Sequence, residues 1–292
     1  MDLTDIRTVK NIMAGFGLRF RKEFGQNFLT DASVLCGIAD AAAEENDAVL
    51  EIGPGIGTLT RELAARYGEV IAVEIDRALI PVLEYTLHDF PNVRVVNKDI
   101  LKTDLAALLS PYFEKGRVSV AANLPYYITT PILMELLESG LPFHSITAMM
   151  QTEVAERLTA PAGDGAYGAI TVAVNYYGTA KRLFTVPPTS FLPPPSVTSA
   201  VVQITLHEKK PFVPKDETIF RKTVRAAFAQ RRKTLPNALS SGFPTLGKER
   251  CADLVAAAGH RTDIRGERLS VGEFVALSDL VAEALRETED AK

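Results

Sequence analysis

Short apolar runs alternate with helix-like segments from residue 48 onward, and this alternation constrains the fold more than any other feature. Five runs predict buried strands: AVLEI (48–52), VIAVE (70–74), VRVVN (93–97), VSVAA (118–122) and ITAMM (146–150). The segments between them, such as ALIPVLEYTLHDF, repeat their apolar residues at helical spacing. Strands and helices of these lengths indicate βαβ units and a parallel sheet covered on both faces, so we predict an α/β fold.

The pattern changes beyond the fifth predicted strand. The proline-rich segment 186–197 is predicted to lack regular structure, residues 198–206 predict another strand, and residues 217–288 are helical in pattern throughout. We therefore predict two domains. The α/β domain covers residues 1–206, and a small all-helical C-terminal domain covers residues 207–292.

Composition limits the classes to which the chain can belong. Its 292 residues are 47% hydrophobic and 23% charged, which is ordinary for a globular protein. No apolar run approaches the roughly 18 residues of a membrane span, so no membrane association is predicted. Cys36 and Cys251 lie far apart and the histidines are scattered, so neither a disulfide nor a metal site is predicted. A reducing, cytoplasmic location is the simplest interpretation, and nothing demands more than a monomer.

Charge is unevenly distributed along the chain. The net charge is −4, yet residues 206–292 hold 16 Lys and Arg against 13 Asp and Glu. Within them, segment 219–235 has six cations and no acid, and it predicts an amphipathic helix that Pro236 ends near residue 235. A charged stripe is usually a solvated face, but the missing acid favours contact with phosphate. The candidate cations for nucleic-acid contact are Arg221, Lys222, Arg225, Arg231, Arg232 and Lys233.

The loop after the first predicted strand, EIGPGIGT (51–58), is rich in glycine. Gly53 and Gly55 allow a sharp turn and a close approach to a ligand at the carboxyl end of a strand, where open α/β sheets bind ligands. As a dinucleotide fingerprint the loop is imperfect, because GxGxxG requires glycine where Thr58 stands. The loop alone is weak evidence for nucleotide binding.

Two acids strengthen that interpretation. Glu74 ends the second predicted strand, 21 residues after Gly53, where a carboxylate can accept hydrogen bonds from both ribose hydroxyls. Asp99 follows the third predicted strand and is placed to accept from an adenine amino group. Either acid alone could simply face solvent. Together with the loop they describe a pocket for adenosine without a pyrophosphate, which favours S-adenosyl-L-methionine over NAD.

The fourth predicted strand leads into the tetrapeptide NLPY, residues 123–126. Pro125 holds Leu124 extended, so the Leu124 carbonyl and the side-chain oxygen of Asn123 could together accept both hydrogens of an exocyclic amine. Such acceptance favours a pyramidal adenine N6 whose lone pair points at an activated methyl group, a step that needs mainly positioning. Tyr126 offers a face for base stacking, and the target base must be unpaired or flipped. The alternative is a proline-started turn whose tyrosine packs in the core.

Phe191 is a further candidate for contact with a base. Prolines flank it in FLPPP, so an exposed, rigid aromatic ring there could cover the other face of a flipped base. The alternative is a phenylalanine that fills the edge of the sheet. The sequence leaves both open.

Eight collinear motifs carry a resemblance to a known family. They are GQNFL (25–29), EIGPGIGTLT (51–60), VEID (73–76), KDIL (98–101), NLPYYITTP (123–131), FLPPPSVTSAVV (191–202), AAFAQRRKTL (226–235) and RGERLSVGEF (265–274). From about residue 16 to residue 280 the chain resembles the KsgA/Dim1 family of ribosomal RNA adenine N6-dimethyltransferases. The resemblance implies a Rossmann-like class I methyltransferase sheet in residues 1–206 and a helical domain that contacts RNA or the ribosome.

The resemblance also implies a substrate and a set of site residues. The substrate would be two adjacent adenosines in the 3′-terminal hairpin loop of small-subunit (16S) rRNA, dimethylated within a pre-30S particle during late assembly. The implied target-base contacts are Asn123, Leu124, Pro125, Tyr126 and Phe191. The implied S-adenosyl-L-methionine contacts are Asn27, Leu29, Gly53, Glu74, Asp99 and Asn123, and the glycine loop itself adds Gly55 as a candidate. The residues alone did not single out Asn27 and Leu29.

Three other functions remain open at this point. Similar enzymes methylate a large-subunit adenine and confer macrolide resistance. The resemblance implies that those enzymes are shorter at the C-terminus and strongly basic, whereas this chain is acidic overall. A non-catalytic assembly or nucleic-acid-binding factor could keep the fold, although an intact NLPY argues against lost catalysis. An N6-adenine DNA methyltransferase would share the pocket.

Overall fold

The computed structural model describes residues 1–20, 26–43 and 47–290, and these divide into two compact units. The first unit comprises residues 1–155 and 179–206, and the second comprises residues 156–178 and 207–292. The predicted division into 1–206 and 207–292 differs from these units only in residues 156–178. Every described helix is too short or too polar to span a lipid bilayer.

The first unit is built on a seven-stranded sheet, as the α/β prediction requires. Its strands are β2 (Ala48–Ile52), β3 (Glu69–Glu74), β4 (Val93–Asn97), β5 (Val118–Asn123), β6 (Phe143–Gln151), β7 (Gly178–Val186) and β9 (Ser199–Leu206). The strand order is β4-β3-β2-β5-β6-β9-β7. Strands β2 to β6 pair in parallel, and β9 pairs antiparallel with β6.

Helices connect the parallel strands: α3 (Thr58–Ala64), α4 (Ile80–Thr86), α5 (Leu105–Phe113) and α6 (Thr129–Glu138). Helix α2 (Ala32–Ala42) precedes β2, and α7 (Thr152–Thr159) follows β6. β2, β3, β5 and β6 are almost wholly buried, which explains why these strands read as continuous apolar runs rather than alternating ones. The predicted burial of VRVVN (93–97) is wrong: β4 lies at the edge of the sheet and its residues are half-buried or exposed. Asp31 caps α2 by accepting from the N–H groups of Ser33 and Val34.

The strand order reverses between β2 and β5, and this reversal positions the site. The chain runs from β2 outward to β4 and then crosses back to β5 on the other side of β2. In open α/β sheets the loops diverge at such a switch point and leave a crevice at the carboxyl ends of the strands. The register places Ile52 beside Ala122, so Gly53 and Asn123 continue from neighbouring strand ends.

A second, two-stranded sheet lies in the first unit. Strand β1 (Phe28–Leu29) pairs antiparallel with β8 (Phe191–Leu192). The prediction that segment 186–197 lacks regular structure is therefore wrong at β8 and at the 3-10 turn Pro188–Ser190. Proline has no backbone N–H to donate, so a long strand cannot form in this segment. The backbone of Phe191 and Leu192 can still pair with β1. Helix α1 (Ile6–Gly15) packs its apolar residues against Phe28 in a separate cluster.

The second unit is helical apart from its loops. Its helices are α8 (Ala169–Tyr177), α9 (Glu217–Ala229), α10 (Leu235–Gly242), α11 (Gly247–Ala257) and α12 (Val271–Asp290). The start of α12 is stabilised by reciprocal hydrogen bonds: the Glu273 carboxylate accepts from the Ser270 N–H at 2.7 Å, and the Ser270 hydroxyl accepts from the Glu273 N–H at 3.4 Å.

The predicted basic helix is shorter than its sequence pattern. We expected it to reach residue 235, but α9 ends at Ala229, and residues 230–234 form a turn before α10. Pro236 lies in the first turn of α10, where its missing N–H breaks no helical hydrogen bond. The proline therefore marks the start of a helix and not the end of the previous one.

Candidate active site at the carboxyl edge of the sheet

An open cavity lies at the carboxyl ends of β2, β3 and β5, and its empty volume of about 970 Å³ includes solvent at the mouth. Its lining includes Gly53 and Gly55 from the loop after β2, Glu74 from β3, and Asn123 from β5. Asp99, from the loop after β4, also lines it. The acids and the amide that the sequence singles out therefore lie around one cavity at the switch point of the sheet.

The glycine loop adopts a backbone that other residues rarely adopt. Gly53, Gly55 and Gly57 have φ angles of 72°, 62° and 88°, in the left-handed region. A Cβ on Gly55 would lie 3.1 Å from the Phe28 ring, so β1 closes on the loop where only glycine fits. The space beside Gly53 holds no atom within 4 Å of such a Cβ. The loop therefore leaves room for a ligand at Gly53.

Glu74 is fixed in position by backbone donors. Its Oε2 accepts from the Gly55 N–H at 3.1 Å, and its Oε1 accepts from the Asp76 N–H at 2.8 Å. Each carboxylate oxygen can accept a second hydrogen bond, so the side chain can still accept hydrogen bonds from hydroxyl groups of a ligand. Burial raises the pKa of Glu74 to about 6, although these N–H groups act to lower it.

Asp99 begins the 3-10 turn that follows β4. Its Oδ1 accepts from the Leu101 N–H at 3.1 Å, and its Oδ2 lies 3.6 Å from the Lys102 ammonium. The turn thus holds the carboxylate at the edge of the cavity.

Glu51 is a cavity residue that our sequence analysis missed. It stands in the middle of β2, is 1% exposed and lines the cavity. Its Oε2 has no hydrogen-bond partner among the described residues. Burial, with a smaller contribution from the charge of Glu74, raises the pKa of Glu51 to about 8. An acid at the centre of the apolar run AVLEI was the signal that could have identified it.

The Asn123 side chain is oriented by the segment that precedes β1. Its Nδ2 donates to the carbonyl of Asn27 at 3.2 Å. Only the NH2 group of the amide can donate, so Oδ1 is the atom that remains to accept hydrogens in the cavity. Asn27 and Leu29 line the same cavity, because the pairing of β1 with β8 holds them there. Gly25, the first residue of GQNFL, lies outside the described residues.

The rest of NLPY is less exposed to the cavity than the sequence suggested. Pro125 lines the cavity, but neither Leu124 nor Tyr126 is among the described residues that do. Leu124 is buried and its N–H donates to the Met149 carbonyl at 3.1 Å. The Tyr126 hydroxyl is hydrogen-bonded to Ser199 Oγ at 2.6 Å. The neighbouring Tyr127, which the sequence analysis did not single out, lines the cavity and is 61% exposed.

Phe191 is buried and not exposed. Only 4% of its surface is accessible, and it lies in the core cluster that includes Leu29, Val186 and Val201. Of the two interpretations that the sequence left open, exposure of this ring is wrong: Phe191 pairs with Leu29 where β8 meets β1, and its ring packs in the core. The alternative interpretation, a phenylalanine that fills the edge of the sheet, describes its place; contact with a base stays a prediction.

The predicted RNA-binding cations in the second unit differ in their surroundings. Arg221 donates to Glu217 Oε1 at 2.8 Å, one turn earlier in α9. Partial burial alone would raise the pKa of Glu217, but donors from Arg221, Tyr177 and Lys210 outweigh it and lower the pKa to about 2. The acid that compensates Arg221 lies just outside segment 219–235, so the absence of an acid within it was misleading.

The other cations are exposed, either on α9 or in the turn at 230–234, which we name the basic turn. Arg231 donates to the carbonyls of Gly165 and Tyr167, at 2.6 and 3.1 Å. The Lys222 ammonium lies 4.7 Å from the centroid of the Phe243 ring. The exposed predicted cations are Lys222, Arg225, Arg231, Arg232 and Lys233. A nucleic acid can reach them at the surface of the second unit.

Comparison with known proteins decides the family. Residues 17–259 match the family described as ribosomal RNA adenine dimethylase. The chain belongs to this family. It is 49% identical over 272 residues to the ribosomal RNA small subunit methyltransferase A of Ligilactobacillus salivarius, with 92% of each chain covered. It is 47% identical to the protein of the same name from Streptococcus gordonii, over 96% of this chain and 98% of that protein.

Two solved structures support the same fold. A dimethyladenosine transferase from Plasmodium falciparum has a TM-score of 0.73 at 26% identity and covers 90% of this chain and 98% of its own. The 23S rRNA methyltransferase ErmE has a TM-score of 0.66 at 25% identity, covering 88% and 100%. The predicted Rossmann-like methyltransferase sheet with a helical C-terminal region is confirmed.

Proposed function

We propose that this ribosomal RNA adenine dimethylase transfers methyl groups from S-adenosyl-L-methionine to N6 of two adjacent adenosines in the 3′-terminal hairpin loop of 16S rRNA. The products are N6,N6-dimethyladenosines, made on a pre-30S particle late in small-subunit assembly. The observation that carries the proposal is the Asn123 amide, held by the Asn27 carbonyl in the cavity that Glu74 and Asp99 also line. Relatives at 46–49% identity bear the name of small-subunit methyltransferases.

The residues around the cavity fit the cofactor. Glu74 offers oxygens to ribose hydroxyls, Asp99 offers one to an amino group, and the open space at Gly53 admits a close approach. The buried Glu51 carboxyl, whose Oε2 has no hydrogen-bond partner among the described residues, can form a hydrogen bond with a ligand. S-adenosyl-L-methionine supplies, when bound, the activated methyl group. The residues proposed to hold it are Asn27, Leu29, Gly53, Gly55, Glu74, Asp99 and Asn123.

In this proposal the residues after β5 position the target amine. Asn123 Oδ1 accepts one hydrogen of the adenine N6 amine. The other is proposed to go to the backbone carbonyl of Leu124, although Leu124 is buried and is not among the described residues that line the cavity. Accepting both hydrogens favours a pyramidal nitrogen whose lone pair is available. The chain then contributes mainly orientation, since no charged nucleophile has to be generated. Tyr126 and Pro125 support the turn that holds these acceptors.

The RNA partner is proposed to contact the exposed cations of the second unit. Phosphate binding by such side chains is independent of sequence and supplies affinity, while the cavity selects the base. We infer that the protein acts as a monomer in the cytoplasm, with which the free thiols of Cys36 and Cys251 are compatible.

A large-subunit substrate is the second candidate, and one observation favours it. The ErmE structure, whose name gives a 23S rRNA substrate, covers 88% of the chain. The small-subunit relatives share 46–49% of their residues with this chain, against 25% for ErmE, which is why we propose the small subunit.

A substrate panel tests the proposal. Labelled S-adenosyl-L-methionine is offered with undermethylated small subunits, large subunits, naked small-subunit RNA and duplex DNA, and the nucleosides are then analysed. We expect label in the small subunits as N6,N6-dimethyladenosine. Label in large subunits or DNA would assign one of the other substrates, and particle binding without any label would identify a non-catalytic factor.

A further inference from the structure

Gln26 is the polar residue of GQNFL to which the resemblance assigns no role. Its side-chain Nε2 donates to Asp76 Oδ2 at 2.9 Å, although the two residues lie 50 positions apart in the chain. An ionised carboxylate can only accept hydrogen bonds, so the NH2 group of the amide is the group that faces Asp76. The bond connects the segment before β1 to the loop that follows β3.

Asp76 is in direct contact with the acid proposed for the cofactor ribose. The Asp76 N–H donates to Glu74 Oε1 at 2.8 Å, and both residues are buried. Asp76 Oδ1 accepts from the Ala78 N–H at 3.1 Å and so caps the 3-10 turn Arg77–Leu79. Glu74 lines the cavity, whereas Asp76 is not among the described residues that do. A change at Asp76 therefore reaches a ligand of the cavity through its neighbour Glu74.

Gln26, Asn27 and Phe28 each contact a different part of the cavity wall. Gln26 contacts the loop after β3, and the Asn27 carbonyl accepts from Asn123 at the end of β5. The Phe28 ring lies against the loop after β2, where a Cβ on Gly55 would be 3.1 Å from it. We call these three residues the strap, because they run across the cavity from the acid assigned to the cofactor to the amide assigned to the target amine.

The far end of the strap is fixed by backbone pairing. Strands β1 and β8 pair there, and the Thr30 N–H donates to the Ser190 carbonyl at 2.9 Å. The hydrogen bond of Gln26 adds a fixed point at the near end, directly before Asn27. The Asn27 carbonyl, which orients Asn123, is therefore held from both sides.

We propose that Gln26 is a positioning residue of the active site: it holds Asp76, and through Asp76 it keeps the Glu74 carboxylate in place for the cofactor. The inference rests on the proposed function and adds to it a residue that acts through its neighbours. Because Gln26 is joined directly to Asn27, the same contact also keeps Asn123 at a fixed distance from Glu74. Gln26 lines the cavity itself, so direct contact with the cofactor is the alternative that the experiment must separate.

Three variants test the inference: Gln26→Leu removes the amide, Gln26→Glu puts a second carboxylate beside Asp76, and Gln26→Glu combined with Asp76→Asn exchanges the donor and the acceptor. The affinity for S-adenosylhomocysteine, the cofactor without its methyl group, is measured by calorimetry in the absence of RNA. We expect Gln26→Leu to lower this affinity roughly three- to thirtyfold, because Glu74 loses its support. Gln26→Glu should lower it at least as much, since two carboxylates at hydrogen-bond distance repel each other.

The exchange variant identifies the partner through which Gln26 acts. In it the new amide at position 76 can donate to the new carboxylate at position 26, so the affinity should return to within about threefold of the wild type. If Gln26 contacted the cofactor directly, Asp76→Asn would not repair the effect of Gln26→Glu. The control is Gln203→Leu, which removes another half-buried amide of the first unit that donates to the Ala41 carbonyl and is not among the described residues of the cavity wall. It should leave the affinity unchanged.

Methyl transfer to undermethylated small subunits tests the link to Asn123. At saturating S-adenosyl-L-methionine the kcat of Gln26→Leu should be roughly three- to tenfold below that of the wild type, since a small displacement of the acceptor slows a step that depends on orientation. An unchanged kcat would contradict this link.

The inference is overturned if Gln26→Leu binds S-adenosylhomocysteine as tightly as the wild type, or if the exchange variant binds no better than Gln26→Glu. The unfolding temperature of each variant is also measured, and if Gln26→Leu does not fold, the comparison of the two proteins that carry Gln26→Glu decides alone. A wild-type protein that binds S-adenosylhomocysteine but methylates no small subunit would refute the proposed substrate, while the measured affinities would still decide the role of Gln26.

Discussion

At the scale of single residues, one hydrogen bond decides which atom Asn123 presents. Because Nδ2 donates to the Asn27 carbonyl, the amide cannot rotate by half a turn without losing that bond. The sequence predicted Asn123 as an acceptor from its place in NLPY. It could not predict that Asn27 orients this amide, since the two residues are 96 positions apart and come together only in the folded chain.

Glu51 provides a pH-dependent test at the same scale. Its pKa in the folded protein is about 8 and lies above the ordinary value of 4.5, so the folded state binds more protons between these values. The stability of the cofactor-free protein should therefore fall as the pH rises from 5 to 8, by a few kcal/mol at most. Glu51→Gln has no ionisable group at this position. Its free energy of unfolding should therefore rise relative to that of the wild type as the pH increases from 5 to 8.

Urea unfolding of both proteins at several pH values measures this difference in the free energy of unfolding. Glu84→Gln, at an exposed position of α4, is the matched control and should follow the wild type. If the difference between wild type and Glu51→Gln did not change with pH, Glu51 would be ionised or solvated in the folded protein, contrary to its burial.

At the scale of elements, α9 packs closely because it presents small residues. A Cβ on Gly242 of α10 would lie 2.4 Å from the Cβ of Ala226, and one on Gly266 would lie 3.0 Å from that of Ala227. Sequence periodicity predicted that helices fill residues 217–288, but it could not predict how close they lie. The same limit applies to the basic helix: charge pattern alone could not distinguish the helix that ends at Ala229 from the basic turn that follows it.

Gly242→Ala should destabilise the protein by about 1–3 kcal/mol, because the added methyl group overlaps Ala226 and the helices must separate. Thermal or urea unfolding measures the loss. Gly116→Ala, where a Cβ would meet nothing within 4 Å, is the control.

A second substitution tests the cause. Ala226→Gly removes the methyl group that Gly242→Ala meets, so the double variant should recover part of the stability lost in the single one. Purely additive losses would show that the contact between α9 and α10 is not the reason.

At the scale of the whole molecule, the positions of the strands followed the sequence pattern more closely than the division of the chain into two units did. Each of the five predicted strands is present within a few residues of its expected ends. Four of them are buried parallel strands, which leave continuous apolar runs, whereas β4 at the edge of the sheet is not buried. Residues 156–178 belong to the second unit, although they precede β7 and β9 in the chain. The local sequence pattern does not show that residues 156–178 belong to the second unit, because this depends on which unit their helices pack with. The division of roles between the units is therefore tested separately.

Arg232 and Lys233 of the basic turn should contribute to RNA affinity by binding phosphate groups. Replacing both with Gln should make the slope of log affinity against log salt concentration shallower by roughly 0.7–0.9 for each phosphate group that the protein no longer neutralises. Binding of undermethylated small subunits at several salt concentrations measures the slope.

Arg221→Gln is the comparison. Its guanidinium is bound to Glu217, so its removal should lower the unfolding temperature and leave the salt slope nearly unchanged. An equal change of slope in both variants would show that Arg221 binds phosphate as well.

The role of Asn123 as acceptor of the target amine is tested by Asn123→Ala, with binding to undermethylated small subunits and methyl transfer to them measured on the same preparation. Asn92→Ala, which removes another amide that donates to backbone carbonyls but lies outside the cavity, is the control. We expect Asn123→Ala to bind the particles as the wild type does and to transfer methyl groups at least about a hundredfold more slowly. Unchanged methyl transfer, or particle binding that disappears along with it, would contradict this role.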